Sequence, residues 1–424
     1  MMRRVFALGA LLLLAACGGG GGGGGYSSGY STGGASSSAA SSSSSSSSVF
    51  ANSVPMRVEL WPDAATGNVN IGYMTLKICA PGTTTCQTID HIIVDTGSEG
   101  LRIENEALSA AMRAALPETA SGTGHLAECY QYVDGYVWGS VRTADLSMGD
   151  EQVAAMPLMI IGETGDYAAV PSDCTSGGGN SHDTIADFGG NGIIGIGVLP
   201  DDCGNYCQVT TNNGYYYMCP SGGGCTPVTA PVTAQVPNPV ARLSVDNNGV
   251  IIDLPAVAPL GQASLAGTLY FGIGTRANNA LSAANVLTTS TDGLLTATYN
   301  GQTLNQSFID SGTNFYGFSD SAITQCTGNL KGFYCPASSL ALTATLTGKN
   351  AVSANVGFAV DNTEQLNGYD AVLPGLAGDP NGFDNLQPYS DSFDFGLPFF
   401  YGKRVYTAIY GRAAGGYTGP YVAF

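Results

Sequence analysis

Two stretches decide how this chain reads: Ile92-Ile93-Val94-Asp95-Thr96-Gly97-Ser98 and Phe308-Ile309-Asp310-Ser311-Gly312-Thr313. In each, an apolar run ends on an acid followed by a hydroxyl residue, a glycine and a second hydroxyl residue. Apolar surroundings disfavour the charge of a carboxylate, so such an acid needs donors close by. Thr96, Ser98, Ser311 and Thr313 carry hydroxyls, while Gly97 and Gly312 let the backbone turn sharply and bring its N–H groups near. One Asp-x-Gly is ordinary turn chemistry. Two copies, 215 residues apart (310 − 95) and in matching surroundings, are not.

The surroundings do match. The first acid follows a strand pattern at Met74 to Ile78, a Pro81-Gly82 turn and a second strand at Thr88 to Val94. The second follows Leu295 to Tyr299, an Asn300-Gly301 turn and Thr303 to Ile309. Asn-Gly between two β-type runs is a strong hairpin signal. Each acid therefore sits at the end of the second strand of a hairpin, and the chain carries an internal duplication. A further pair of echoes, Asn191 to Gly197 and Phe395 to Phe400, reads as Gly-punctuated apolar strands passing beneath the acid loops.

Around these motifs, 60 glycines, frequent turn dipeptides and short Val/Ile/Thr/Tyr-rich runs indicate an all-β chain. The part able to fold, about 370 residues, exceeds one ordinary core and calls for two lobes. The expected division is a signal peptide at 1–16, a tether at 17–52, an N-terminal lobe at 53–255 and a C-terminal lobe at 256–424. Arg3 and Arg4 precede the apolar run Val5 to Leu14, the pattern of an export signal. Leu14-Ala15-Ala16-Cys17 resembles a bacterial lipobox, which implies lipidation at Cys17. Several acyl chains together anchor stably where one does not. Gly18 to Ser48 is almost entirely Gly and Ser and cannot bury enough apolar surface to fold. As a flexible coil it reaches about 30 Å. The expected location is the bacterial outer membrane, facing the periplasm or cell surface.

The net charge of −18, with 14 basic residues, argues against nucleic acid or anionic lipid headgroups as partners. Setting aside Cys17, ten of the 11 cysteines remain, an even number that in an exported protein reads as disulfides. Local pairs are Cys79 with Cys86 and Cys326 with Cys335. Cys203, Cys207, Cys219 and Cys225 pair among themselves, which leaves Cys129 for Cys174. No Cys-x-x-Cys occurs, so zinc is disfavoured. Gly190-x-Gly192-x-x-Gly195 matches a dinucleotide fingerprint, but no helix pattern follows it. The three histidines, His91, His125 and His182, lack a Gly-x-Ser-x-Gly elbow. Asp201-Asp202 and Asp379 to Asp384 read as polar loops, not as a spaced calcium loop. No cofactor or metal is expected.

The acid motifs resemble those of the pepsin-like aspartic peptidases, and the resemblance runs from about residue 55 to the end. It implies a two-lobed, all-β barrel with the active-site cleft between the lobes and Asp95 and Asp310 as the catalytic pair. Tyr132-Val133-Asp134-Gly135, followed by Gly139-Ser140-Val141, resembles the flap hairpin that closes over substrate, with Tyr132, Asp134 and Gly135 at its tip. Thr268 to Gly272 resembles the strand opening the second lobe, and Tyr421 to Phe424 its last strand. Two positions depart from the family. Glu99 stands where a serine is usual, and Arg102 where a tryptophan often orients the flap tyrosine. An added carboxylate there raises the pKa of the pair or binds a basic group.

The implied chemistry is peptide hydrolysis. Two acids sharing one site hold one proton between them. The ionised member takes a proton from a water while the other polarises the scissile carbonyl. Ser98 and Thr313 orient the acids. The expected partners are a peptide or protein substrate and, through the lipid, a membrane; the chain is expected to be monomeric. The competing reading is a non-catalytic surface lipoprotein that binds a peptide or glycan on the same scaffold.

Overall fold

The computed structural model describes residues 51–61, 68–177, 179–383 and 391–424. The expected signal peptide, Cys17 and nearly all of the tether lie outside the described residues, as does Asp384. Within them the chain is strands, turns and short helices; the longest α-helix, Ala110–Ala115, has 6 residues. Among the described residues no helix is long and apolar enough to cross a membrane.

The chain opens with β1 (Ser53–Val58), the hairpin of β2 (Gly72–Cys79) and β3 (Cys86–Asp95), and β4 (Glu99–Glu104). A meander follows of β5 (Gly124–Gln131), β6 (Gly135–Met148) and β7 (Glu151–Ile161), before β8 (Gly192–Ile196) returns to the acid strand. Next come β9 (Gly249–Leu254), β10 (Leu265–Phe271) and β11 (Val286–Thr288). The second lobe carries the hairpin of β12 (Leu295–Tyr299) and β13 (Gln302–Ile309), the short β14 (Tyr316–Gly317), and the hairpin of β15 (Leu340–Thr347) and β16 (Ser353–Val360). It closes with β17 (Asp394–Phe395), β18 (Lys403–Ala408) and β19 (Tyr421–Ala423). This is the two-lobed, all-β architecture the sequence implies.

Six strands join the lobes as one antiparallel sheet in the order β11–β19–β18–β9–β10–β1. The strand expected to open the second lobe, Thr268 to Gly272, thus belongs to this shared sheet as part of β10. The expected boundary between residues 255 and 256 falls in the connection between β9 and β10.

Burial follows from layering. Strand β3 begins with alternating exposure, as on a half-covered sheet, and ends in four consecutive buried residues, Ile92 to Asp95. The change occurs where β8 runs alongside in parallel, pairing Ile193 with Ile93, Ile194 with Val94 and Gly195 with Asp95. Strand β8 is buried throughout because β4 pairs antiparallel along its other edge. Glycine is needed at two places in it. A Cβ on Gly192 would lie 2.4 Å from the Arg102 carbonyl oxygen, and one on Gly195 would lie 2.6 Å from the Glu99 backbone. Each fully buried Ile or Val in this layer contributes about 1.5–3 kcal/mol. The second lobe repeats the plan: β17 runs parallel to the end of β13, pairing Asp394 with Phe308 and Phe395 with Ile309.

Among the described residues five disulfides join Cys79–Cys86, Cys129–Cys174, Cys203–Cys207, Cys219–Cys225 and Cys326–Cys335; three are the pairs expected, and the pairing within the Cys203 to Cys225 cluster, left open by the sequence, is local.

Candidate active site

Both hairpins deliver their acid to one place. Asp95 and Asp310 are fully buried, and each accepts a hydrogen bond at Oδ1 from the backbone N–H two residues on, Gly97 and Gly312, both at 2.7 Å. Each accepts a second bond at Oδ2 from the hydroxyl three residues on: Ser98 Oγ to Asp95, and Thr313 Oγ1 to Asp310 at 3.0 Å. The loops are laced together across the lobes. Thr96 N–H donates to Ser311 Oγ at 3.1 Å, and Ser311 N–H donates to Thr96 Oγ1 at 3.0 Å. Ser311 Oγ in turn donates to the Val94 carbonyl at 2.8 Å.

The glycines sit against the opposite acid. A Cβ added at Gly97 would lie 2.5 Å from Asp310 Cγ, and one at Gly312 would lie 2.6 Å from Asp95 Oδ1. Each carboxyl group therefore lies against the glycine backbone of the opposite loop. Burial raises the pKa of Asp95, while Asp310, Ser98, the Gly97 N–H and Arg102 restrain it. Asp310 is raised well above the usual carboxylate range, first by burial and then by Asp95 and Asp394.

Of the residues singled out in sequence, Asp95, Asp310, Thr96, Gly97, Ser98, Ser311, Gly312 and Thr313 form this one cluster. The flap residues do not stand free above it. Strands β5 and β6 make the expected hairpin, with Tyr132 N–H donating to the Gly135 carbonyl at 2.8 Å. Its tip, however, is buried: Tyr132 is 5% and Asp134 2% exposed. Asn180–Ser181 runs parallel to Gly135–Tyr136, and His182 Nε2 lies 3.3 Å from Asp134 Oδ1. The Cys129–Cys174 disulfide ties this covering segment to β5. Asp134 and Gly135 thus contact their own chain where the resemblance assigns them to substrate. The Tyr132 ring packs on Tyr130 and Phe188, and its hydroxyl has no hydrogen-bond partner.

Arg102 is fully buried behind the first acid strand. Its guanidinium bonds Glu128 through Nε at 3.2 Å and Nη2 at 2.6 Å, donates from Nη1 to the Glu99 carbonyl at 2.7 Å, and stacks 3.6 Å over the Tyr130 ring. Asp202 joins at 3.8 Å and accepts from Tyr216 Oη at 2.6 Å. Burial and the Glu128 charge hold Asp202 well above the ordinary range, and the close ion pair of the network is Arg102 with Glu128 at 2.6 Å. Glu99 Oε1 accepts from the Leu199 N–H at 3.1 Å. Beside the acid loops an open pocket is lined by Thr96, Gly97, Glu99, Asp292, Leu294 and Phe308 among others.

Sequence reasoning missed several buried acids, among them Asp394, Glu128 and Glu104, and Asp202, expected in a polar loop, is buried as well. One was within reach. The second echo, Phe395 to Phe400, begins one residue after Asp394, which pairs with Phe308 as Ile193 of the first echo pairs with Ile93. The other candidates stay apart. Gly190, Gly192 and Gly195 belong to β8 or its approach, and His91, His125 and His182 sit beside Glu59, Glu118 and Asp134 respectively. Asp201 pairs with Arg242, and Asp379 caps the turn at Pro380–Gly382. Among the described residues no cluster of His, Cys, Asp or Glu is arranged to hold a metal ion.

Among solved structures, the aspartic proteinase from Irpex lacteus is similar at 14% identity, covering 88% of this chain and 96% of that one with a TM-score of 0.46. No curated protein matches the sequence. A family model described as "Protein of unknown function (DUF3443)" matches residues 48–424, and the chain belongs to that family.

Proposed function

We propose that this protein is an aspartic endopeptidase that hydrolyses peptide bonds with a water activated by Asp95 and Asp310. The observation that carries the reading is the reciprocal placement of the two loops, in which each glycine lies against the carboxyl group of the other acid. Two carboxyl groups so placed cannot both ionise cheaply, so the pair keeps one proton over a range of pH. The ionised member accepts a proton from water as the protonated one donates toward the scissile carbonyl oxygen; the attack forms a tetrahedral diol, and the protons then pass to the leaving amine. Ser98 and Thr313 hold the outer oxygens, which leaves the facing oxygens for this chemistry. Five disulfides and a net charge of −18 suit an exported enzyme, and a lipid at Cys17 would tether it as a monomer to the outer membrane.

A second reading, a non-catalytic peptide- or glycan-binding lipoprotein, draws on one observation: both acids are fully buried and the flap tip is covered. Cleavage of a peptide library between pH 3 and 7 separates the two. Turnover that disappears in both Asp95→Asn and Asp310→Asn supports the peptidase. Turnover that survives either change, or its absence at every pH in the intact protein, refutes it.

A further inference from the structure

Asp394 lies on β17 between Phe393 and Phe395, whose rings stack at 4.1 Å on one face of the strand. Alternation turns the Asp394 side chain to the other face, toward Thr313. It is 2% exposed, and its Oδ2 lies 2.8 Å from Thr313 Oγ1. The same hydroxyl lies 3.0 Å from Asp310 Oδ2. A hydroxyl has one hydrogen to donate. Two carboxylate oxygens at hydrogen-bond distance from it can both be bonded only if one of them carries a proton and donates back.

The surroundings decide which. The Oδ1 of Asp394 is buried with no hydrogen-bond partner, whereas the Oδ1 of Asp310 accepts from the Gly312 N–H. A buried charge without donors is the costlier state. Titratable groups reach Asp394 only from the acid loops, Asp310 and Asp95; β13 and β14 set Phe308 and Gly317 opposite it, and no cation among the described residues pairs with it. The corresponding residue in the first lobe, opposite the position two before the acid, is Ile193. The second lobe alone has this group.

We propose that Asp394 is a positioning residue: it remains protonated, donates to Thr313 Oγ1 and thereby commits the Thr313 hydrogen to the outer oxygen of Asp310. The unit behind the reaction is then the Asp95–Asp310 pair with Asp394 joined to Asp310 through the Thr313 hydroxyl, one proton held by Asp394 and one shared by the pair. The catalytic part of this inference rests on the peptidase reading, but the protonation of Asp394 does not.

Two measurements test it. The first is infrared difference spectroscopy of the full-length protein at pH 7, following the carbonyl stretch of protonated carboxylic acids. Asp394→Asn should remove one such band; a spectrum with no band assignable to Asp394 overturns the proposal. The second is the pH profile of kcat. Asparagine supplies a neutral N–H donor to Thr313, so Asp394→Asn should keep kcat and both limbs of the profile. Asp394→Val has no donor and should lower kcat about tenfold, the worth of one buried hydrogen bond. A basic limb displaced by a full pH unit in Asp394→Asn would show that the residue is charged, and overturns the proposal. If no variant cleaves any peptide, the intact protein included, the peptidase reading fails while the infrared band still decides the state of Asp394.

Discussion

The tightest constraint in the site is the space between Gly97 and Asp310, and Gly97→Ala probes it directly. The added methyl would lie 2.5 Å from Asp310 Cγ and 2.6 and 2.7 Å from its oxygens. Unstrained carbon contacts need about 3.5–4.0 Å, so the carboxyl group must retreat by about 1 Å or the loops must part. Retreat is opposed by the Gly312 N–H and Thr313 bonds to Asp310 and by the Thr96–Ser311 exchange. Overpacking of this kind costs about 1–3 kcal/mol, which in a chain this large lowers Tm by several degrees. Misplacing a reacting group by about 1 Å costs about a hundredfold in rate. The expected result is a folded protein whose kcat on a peptide substrate falls about a hundredfold, with KM little changed because the binding surfaces away from the pair are intact. Gly312→Ala, whose methyl would meet Asp95 Oδ1 at 2.6 Å, should behave alike. Steady-state kinetics and calorimetry on the purified variants measure both effects. Wild-type kcat and Tm in Gly97→Ala would refute the claim that the two acids are pressed together across the glycines.

Three other outcomes follow from the same geometry. Glu104 is buried with neither carboxyl oxygen hydrogen-bonded, and burial followed by Glu106, Asp183 and Asp187 pushes its pKa up to about 9. It is neutral in the fold but ionised in the unfolded chain above about pH 4.5, so stability is lost by about 1.4 kcal/mol per pH unit as pH rises through that window. Glu104→Gln should therefore raise Tm at pH 8 and leave it unchanged at pH 4; equal shifts at both would contradict the assignment. Replacing Cys129 and Cys174 by alanine opens a link of sequence separation 45. That should cost about 4 kcal/mol by urea unfolding and speed hydrogen exchange at Tyr132 to Gly135; protection there that does not change would mean the bridge does not hold the covering segment down. Glu99 and Asp292 are among the residues lining the pocket beside the acids. Peptides presenting lysine to it should be cleaved in preference to leucine analogues, and Glu99→Gln should shrink that kcat/KM ratio about tenfold. An unchanged ratio would remove Glu99 from specificity.

What could be read in the sequence was what is local along the chain. The hairpin at Asn300-Gly301 follows from two residues at positive φ, 48° and 75°, which that dipeptide adopts readily. The acids at the strand ends, the first strand passing beneath them and the disulfides outside the Cys203 to Cys225 cluster follow from spacing, whereas Leu397–Phe400, expected as strand, is a 3-10 helix. The partners of Arg102 did not. Glu128 arrives from β5 and Asp202 from the loop after β8, contacts set by tertiary packing alone. The covered flap tip was hidden for a similar reason. Nothing in Asn180-Ser181-His182 announces a strand, and the two-residue pairing exists only because Gly135 admits the Asn180 carbonyl, which a Cβ would meet at 2.1 Å.

The duplication explains why the site has two acids, and the departures from it explain why they are not equivalent. Both carry the same loop bonds, from a glycine N–H and from a hydroxyl three residues on. Behind Asp95 the lobe places Arg102, whose charge favours the ionised form, and beneath it Ile193, which has no charge to add. Behind Asp310 it places Asp394, neutral in the proposal above, and no cation among the described residues. The Arg102 charge therefore makes Asp95 the easier of the two to ionise and leaves Asp310 the more strongly held proton. A symmetric scaffold would share the proton evenly. Here Arg102, a residue outside the Asp-x-Gly motifs, biases how the pair titrates without altering either acid.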